Sequence, residues 1–278
     1  MTLFTGLLRA GALPDFLIIG AQKAGTTSLA SYLAAHPCVV SPTLKEVHFF
    51  DLNYSKGIDW YRSHFPISRW KRMRRRLRGK PLLTGDATPY YLFHPRVPFL
   101  ASQVIPSTRI IVLLRDPVDR AYSHYHHEVR LGKEKLSFED AIEAEPSRTA
   151  GEEQRLESEP SYESLAYQHF TYLARGIYSD QMHRWMNYYR PEQFQVLSSE
   201  QFFESPATEY RKVLKFLGLR DCELPAYPAD NSGKYASMSA ATRDRLLEYY
   251  APHNRKLRQH LNSLWPRSGD AIVDRFAS

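Results

Sequence analysis

Eight consecutive residues, Gly20-Ala-Gln-Lys-Ala-Gly-Thr-Thr27, have the make-up of a phosphate cradle. Small residues let the backbone approach an anion, and the first N–H groups of a following helix point at it. Lys23 supplies a fixed cation inside the loop. The N–H groups of Ala24, Gly25, Thr26 and Thr27 supply donors, together with the Thr26 and Thr27 hydroxyls. The loop of nucleotide kinases runs glycine, four residues, glycine, lysine, then serine or threonine. Gly20 and Gly25 fit that spacing, but Thr26 occupies the lysine position and the lysine has moved inside. A kinase needs the later lysine on its outer phosphates, so this loop reads as a cradle for other chemistry.

Three further positions can join it. Glu46 is a carboxylate able to take a proton from an attacking hydroxyl or ammonium group. His48 lies two residues on and shares a face with it if the segment is extended. Arg115 directly follows an apolar run, where a guanidinium can grip a terminal phosphate through two parallel hydrogen bonds. Ser123, eight residues later, can donate a hydroxyl hydrogen bond to the same group.

These residues need a scaffold, and the surrounding pattern provides one. Asp15-Phe-Leu-Ile-Ile-Gly20 is a short apolar run ending in glycine, the mark of a buried strand. From Thr26 the apolar residues Leu29, Tyr32 and Leu33 recur at helical spacing up to His36-Pro37. The same order returns at Arg109–Leu114, then Arg115-Asp-Pro117, then a helical stretch over 118–131. Phe194–Leu197 reads as a third strand and Val39-Val40 as a short fourth. Further helices are expected over 178–189, 207–217 and 240–261. Alternating strands and helices predict an α/β fold: a P-loop-like parallel sheet with helices on both faces.

The bulk properties agree with one such domain over residues 1–278, with 43% hydrophobic and 24% charged residues. The net charge of +7 suits an anionic ligand. Two cysteines, Cys38 and Cys222, are too few for a disulfide framework and suggest free thiols in a reducing compartment. The first fifteen residues resemble neither a membrane span nor a signal peptide, so a cytoplasmic location is expected. Two surface insertions or lids are expected, near 67–81 and 137–163. The first contains Arg69–Lys80, with eight basic residues in twelve, and Trp70, Met73 and Leu77 at helical spacing. As a basic amphipathic segment it could meet an anionic acceptor, a partner or a membrane surface. The second, Ser137–Glu163, holds nine acidic residues and would repel an acidic polymer.

Taken together, the motifs resemble the sulfotransferases that use 3′-phosphoadenosine-5′-phosphosulfate (PAPS). Ile19-Gly-Ala-Gln-Lys-Ala-Gly-Thr-Thr-Ser-Leu29 is similar to that family's 5′-phosphosulfate loop, and Leu114-Arg-Asp-Pro-Val-Asp-Arg-Ala-Tyr-Ser-His-Tyr125 to its 3′-phosphate motif. Lys45-Glu-Val-His-Phe-Phe-Asp51 resembles the heparan sulfate glucosaminyl N- and 3-O-sulfotransferase branch. The likeness runs from about Pro14 to Leu217. It implies PAPS as donor, the desulfated nucleotide PAP as product and no metal. It implies Lys23 at the bridging oxygen, Glu46 as base, and Arg115 and Ser123 on the 3′-phosphate. Arg120 is expected to be structural. Partners implied are PAPS and an acceptor sugar, lipid or metabolite, not nucleic acid.

The chain departs from the branch in three places. Ala87, in Gly85-Asp-Ala-Thr-Pro-Tyr90, replaces a lysine near the acceptor. Asn231–Ser237 replaces a basic loop over the nucleotide, where Lys234 and Tyr235 are the candidates to cover the 3′-phosphate and adenine. The cysteine pair flanking that loop in secreted relatives is absent. Two other functions fit parts of the sequence. One is an atypical P-loop kinase, against which stand the displaced lysine and the lack of an aspartate-based magnesium motif. The other is a non-enzymatic polyanion-binding protein led by Arg69–Lys80.

Overall fold

The computed structural model describes residues 11–68, 72, 73, 75, 77, 79, 81–228, 236–265 and 268–277. Five strands form one parallel sheet: β1 (Phe16–Gly20), β2 (Val39–Val40), β3 (Leu83–Ala87), β4 (Arg109–Leu114) and β5 (Phe194–Ser198), in the order β2-β3-β1-β4-β5. The flanking helices are α1 (Thr26–Ala34), α2 (Phe49–Leu52), α3 (Ile58–Ser63), α4 (Val97–Val104), α5 (Pro117–Arg130), α6 (Phe138–Arg148) and α7 (Glu152–Ser158). They continue with α8 (Leu165–His169), α9 (Tyr178–Met186), α10 (Ser199–Glu204), α11 (Pro206–Phe216), α12 (Ala240–Leu264) and α13 (Ser268–Val273).

Every residue of β1 is buried, as is β4 from Ile110 onward. A parallel strand covered on both faces must be apolar throughout, which is why these two runs were legible as strands. Each fully buried Leu or Ile side chain contributes about 1.5–3 kcal/mol relative to exposure.

The strand the sequence pattern did not announce is β3. It reads Leu-Thr-Gly-Asp-Ala, with only alternating apolar character. It is nevertheless central, pairing β1 on one side and β2 on the other. Gly85 belongs there because the Phe16 ring lies over it. A Cβ at that position would stand 2.1 Å from Phe16 Cε2.

The acidic segment is tied into the molecule rather than set apart as a lid. Phe138, Ala141 and Ile142 of α6 pack with Val118 and Ala121 of α5, Tyr172, and Leu246 and Tyr250 of α12. Its acidity is partly compensated within the chain. Glu143 pairs with Arg245 at 3.1 Å, Glu159 with Arg155 at 3.2 Å, and Glu153 with Arg184. The repulsion of acidic polymers expected from nine carboxyl groups is reduced accordingly.

In the basic segment, Trp70, Arg69 and Lys71 lie outside the described residues. Among those described, the apolar positions Met73 and Leu77 are exposed, at 47% and 80%. The two described arginines face the domain instead: Arg72 pairs with Asp15, and Arg75 Nη2 donates to Cys38 Sγ at 3.4 Å. Cys38 and Cys222 are both unpaired. Among the described residues no helix is long and apolar enough to cross a membrane.

Candidate active site

One cleft of about 680 Å³ opens at the carboxyl ends of the strands. Open α/β sheets bind ligands there, where successive loops converge. The loop after β1 brings Lys23, Arg115 follows β4 directly, and Ser199 follows β5. Lys23, Glu46, His48, Arg115 and Ser123, spread over a hundred residues of sequence, all line this one space.

The loop is held from several directions. Gly25 caps α1 in the left-handed region at φ 96°, and a Cβ there would meet Phe203 Cζ at 2.8 Å. Only glycine satisfies both conditions. Arg115 Nη1 donates to the Lys23 carbonyl at 3.0 Å. Gln22 Oε1 accepts from Arg175 Nη1 at 2.5 Å. Arg175 is fully enclosed, with its guanidinium over the Tyr90 ring at 4.7 Å and the Phe93 ring at 5.1 Å. Burial pushes its pKa down to about 10, so it stays charged at neutral pH.

Gly25, Thr26 and Thr27 line the cleft as expected. Ala24 does not. Its side chain is buried and its N–H is used by the Ala21 carbonyl at 3.1 Å, which closes the turn. The Ala24 N–H is therefore spent inside the loop rather than offered to a phosphate. Ser123 lines the same cleft from α5, buried to 7% exposure. Asp116 caps α5, accepting from Asp119 N at 2.9 Å. Arg120 is fully buried and donates to the Tyr172 carbonyl, a structural position as expected. Lys234 and Tyr235 lie outside the described residues.

Glu46 and His48 meet, though not through an extended segment. His48 is in the left-handed region at φ 51°, at the start of α2. Its Nε2 lies 3.2 Å from Glu46 Oε2 and its Nδ1 2.7 Å from Asp51 Oδ2. Burial disfavours the imidazolium, but hydrogen bonds and charge from Asp51 and Glu46 outweigh it and raise the pKa to about 10. Burial pushes the Asp51 carboxyl up as well, against the hydrogen bond and charge of His48. A doubly protonated imidazole has only donors, so it orients both carboxylates and cannot itself take a proton.

A match to the sulfotransferase domain family model spans residues 13–246, the stretch that holds every element of this cleft. The chain is a member of the sulfotransferase family. It is 31% identical to a solved sulfotransferase from Alicyclobacillus acidocaldarius, with a TM-score of 0.67 over 90% of this chain and 96% of that one. It is also 31% identical to the human bifunctional heparan sulfate N-deacetylase/N-sulfotransferase 3, over 91% of this chain and 30% of that protein. The mouse heparan sulfate glucosamine 3-O-sulfotransferase 3B1 is 29% identical over 89% of this chain and 63% of its own length. The chain thus spans about a third of the first relative and under two thirds of the other. The kinase alternative gives way to this membership. Thr26, at the position of a kinase lysine, is 5% exposed.

The sulfotransferase cleft is cationic where a donor would lie. Burial lowers the Lys23 pKa, and the neighbouring charges of Arg130, Arg115 and Lys45 lower it further. An ammonium crowded by like charges is stabilised by an anionic ligand.

Several site residues were not singled out in the sequence. Asp51 follows His48 by three residues, a spacing that signals contact once α2 is known. His127 and Arg130 line the same wall as Ser123 at four and seven residues beyond it, the repeat of one helix face. Glu128 is buried between His124 Nε2 at 3.3 Å and His169 Nδ1 at 3.1 Å. Burial would raise its carboxyl, but those hydrogen bonds dominate and hold it well below the usual range.

Proposed function

We propose that this sulfotransferase draws the sulfuryl group from PAPS. The acceptor is a hydroxyl, or second an amine, of a carbohydrate, lipid or small metabolite. The observation that carries the reading is the convergence of Lys23, Arg115, Ser123 and Glu46 on one cleft of about 680 Å³. That volume falls in the range of about 300–1,000 Å³ usual for ligand sites.

The residues take complementary roles. Thr26, Thr27 and the α1 amino end hold the 5′-phosphate, and Arg115 with Ser123 holds the 3′-phosphate. Glu46, oriented by His48, accepts the acceptor's proton as the acceptor oxygen bonds to sulfur. The bond from sulfur to the bridging oxygen breaks in the same displacement, and Lys23 stabilises the charge that the leaving phosphate gains. PAP departs without any metal being required by these steps. The unpaired Cys38 and Cys222 support a reducing, cytoplasmic setting.

Calorimetry with PAP tests the donor side, and the absence of binding would end the proposal. An acceptor screen with labelled PAPS, read by mass spectrometry for the added SO₃, tests the other side.

A further inference from the structure

Asp86 is fully buried at the end of β3, with no cation among its hydrogen-bond partners. Three hydroxyl groups serve it. Thr88 Oγ1 donates to Oδ1 at 2.7 Å, and Tyr61 and Tyr91 donate to Oδ2 at 2.9 Å each. A carboxylate in an apolar interior is costly, and a structural purpose would be served more cheaply by a neutral group.

Two of those hydroxyls do more than solvate the carboxylate. With their hydrogens turned toward Asp86, they present lone pairs to the main chain that follows Glu46. Tyr91 Oη accepts from Phe49 N at 2.8 Å and from Phe50 N at 3.4 Å. Thr88 Oγ1 accepts from His48 N at 3.4 Å. His48 sits in the left-handed region at φ 51°, a backbone state that persists only when its surroundings hold it there.

We infer that Asp86 is a positioning residue for the sulfuryl-transfer centre: through Thr88 and Tyr91 it fixes the His48–Phe49 backbone, and through His48 it sets the orientation of Glu46. The chemistry demands a carboxylate because both of its oxygens must accept. Asparagine offers one acceptor and one amide. If the amide faces Thr88, the threonine oxygen must accept from it, and its hydrogen is no longer held away from His48 N–H. If the amide faces the tyrosines, the Tyr91 hydrogen is likewise no longer held away from Phe49 N–H. Either orientation releases one of the two relays. Burial raises the Asp86 pKa to about 6, with the three hydroxyl hydrogen bonds pulling the other way, so the carboxylate form prevails at neutral pH.

The role of Glu46 rests on the function proposed above, but the positioning can be measured without any ligand. The His48 ring is titrated by NMR in the whole protein, its signal assigned with His48→Gln, beside calorimetry with PAP. In wild type His48 stays protonated well above pH 7. In Asp86→Asn and Thr88→Val its midpoint falls toward the ordinary histidine range. Thr88→Ser restores it, since the hydroxyl alone is needed. PAP affinity stays within about twofold in all three, because the Asp86 and Thr88 side chains hydrogen-bond to Tyr61, Tyr91 and His48 and not to residues 20–27, and turnover of PAPS to PAP drops on the order of 10- to 100-fold in the two impaired variants. An unchanged His48 midpoint in Asp86→Asn and Thr88→Val overturns the inference, as does a Thr88→Ser variant no better than Thr88→Val. Failure of wild type to bind PAP would count against the donor and leave the His48 result standing.

Discussion

Arg115 Nη1 donates to the main-chain carbonyl of Lys23 across 3.0 Å, so the guanidinium that ends β4 also braces the loop that follows β1. With the 3′-phosphate role proposed for it, Arg115 would have two tasks, and replacing it should affect both. Arg115→Ala is expected to weaken PAP binding by about 100-fold or more, given roughly 1.5–3 kcal/mol for each hydrogen bond to a charged group. Arg115→Lys should recover only part of this, since an ammonium cannot span phosphate and carbonyl with a planar fork. Calorimetry with PAP reads both variants, and equal affinities for alanine and wild type would remove Arg115 from the donor site.

Glu46→Gln separates chemistry from binding. It keeps the size of the side chain and leaves the donor loop alone, so PAP affinity should hold. Turnover should fall about 10²- to 10⁴-fold, the usual worth of a positioned base. The His48 midpoint should fall too, because one of the two carboxylates that hold its proton is gone. Single-turnover assays with PAPS provide the check, and a wild-type rate would exclude Glu46 as the base.

Lys23 is a site of conflict between stability and function. Its folded pKa lies below 10.5, through burial first and the charges of Arg130 and Arg115 next. A base with a lowered folded pKa costs stability in full below that folded value, and the cost fades as pH rises from there through the ordinary value of 10.5. Lys23→Met should therefore melt at a higher temperature than wild type at pH 7, with the gap narrowing in alkaline buffer, while losing turnover. Thermal melts across pH give the answer, and a lower melting temperature for Lys23→Met at pH 7 would refute it.

Asp116 offers a second pH handle, on the helix that carries Ser123. Burial first, then the nearby Asp119 and Glu200 charges, raise its pKa to about 7 against hydrogen bonds from the α5 backbone. A carboxyl with a raised folded pKa favours the folded state at low pH, and that contribution fades as pH climbs from about 3.8 to about 7. Asp116→Asn keeps an oxygen for Asp119 N and drops the charge, so it should gain stability relative to wild type above pH 7. Asp116→Ala loses the cap, at a cost of about 1 kcal/mol. Denaturant melts at pH 5 and pH 8 distinguish the two, and identical behaviour would mean that capping is irrelevant here.

The donor half of the site was legible because it rests on contiguous patterns. Gly20–Thr27 follows a solid apolar strand, and Arg115 follows another, so motif and element announced each other. The acceptor half was legible only in part. Glu46 and His48 stood out as residue types, but their contact depends on a left-handed turn at a histidine, which no periodicity reveals. Asp86 was hidden more deeply. Its strand is short, holds glycine beneath Phe16 and carries a carboxylate at a fully buried position, each of which argues against a central strand. Ala24 misled for the opposite reason. Its place in the loop suggested a phosphate donor, whereas the turn itself consumes its N–H. Arg175 could not have been paired with Gln22, 153 residues away, without the fold.

That last contact bears on the order in which the molecule becomes competent. The phosphate loop is complete in sequence by residue 27, yet its shape is imposed by partners that arrive much later. Arg115 holds the Lys23 carbonyl, Arg175 holds Gln22, and Phe203 fills the space against Gly25. A growing chain that has emerged only through α5 already possesses β1, α1 and the residues proposed for the 5′-phosphate, together with Arg115 and Ser123. It lacks two of the three braces, so nucleotide capture should begin only after α10 has docked, late in synthesis.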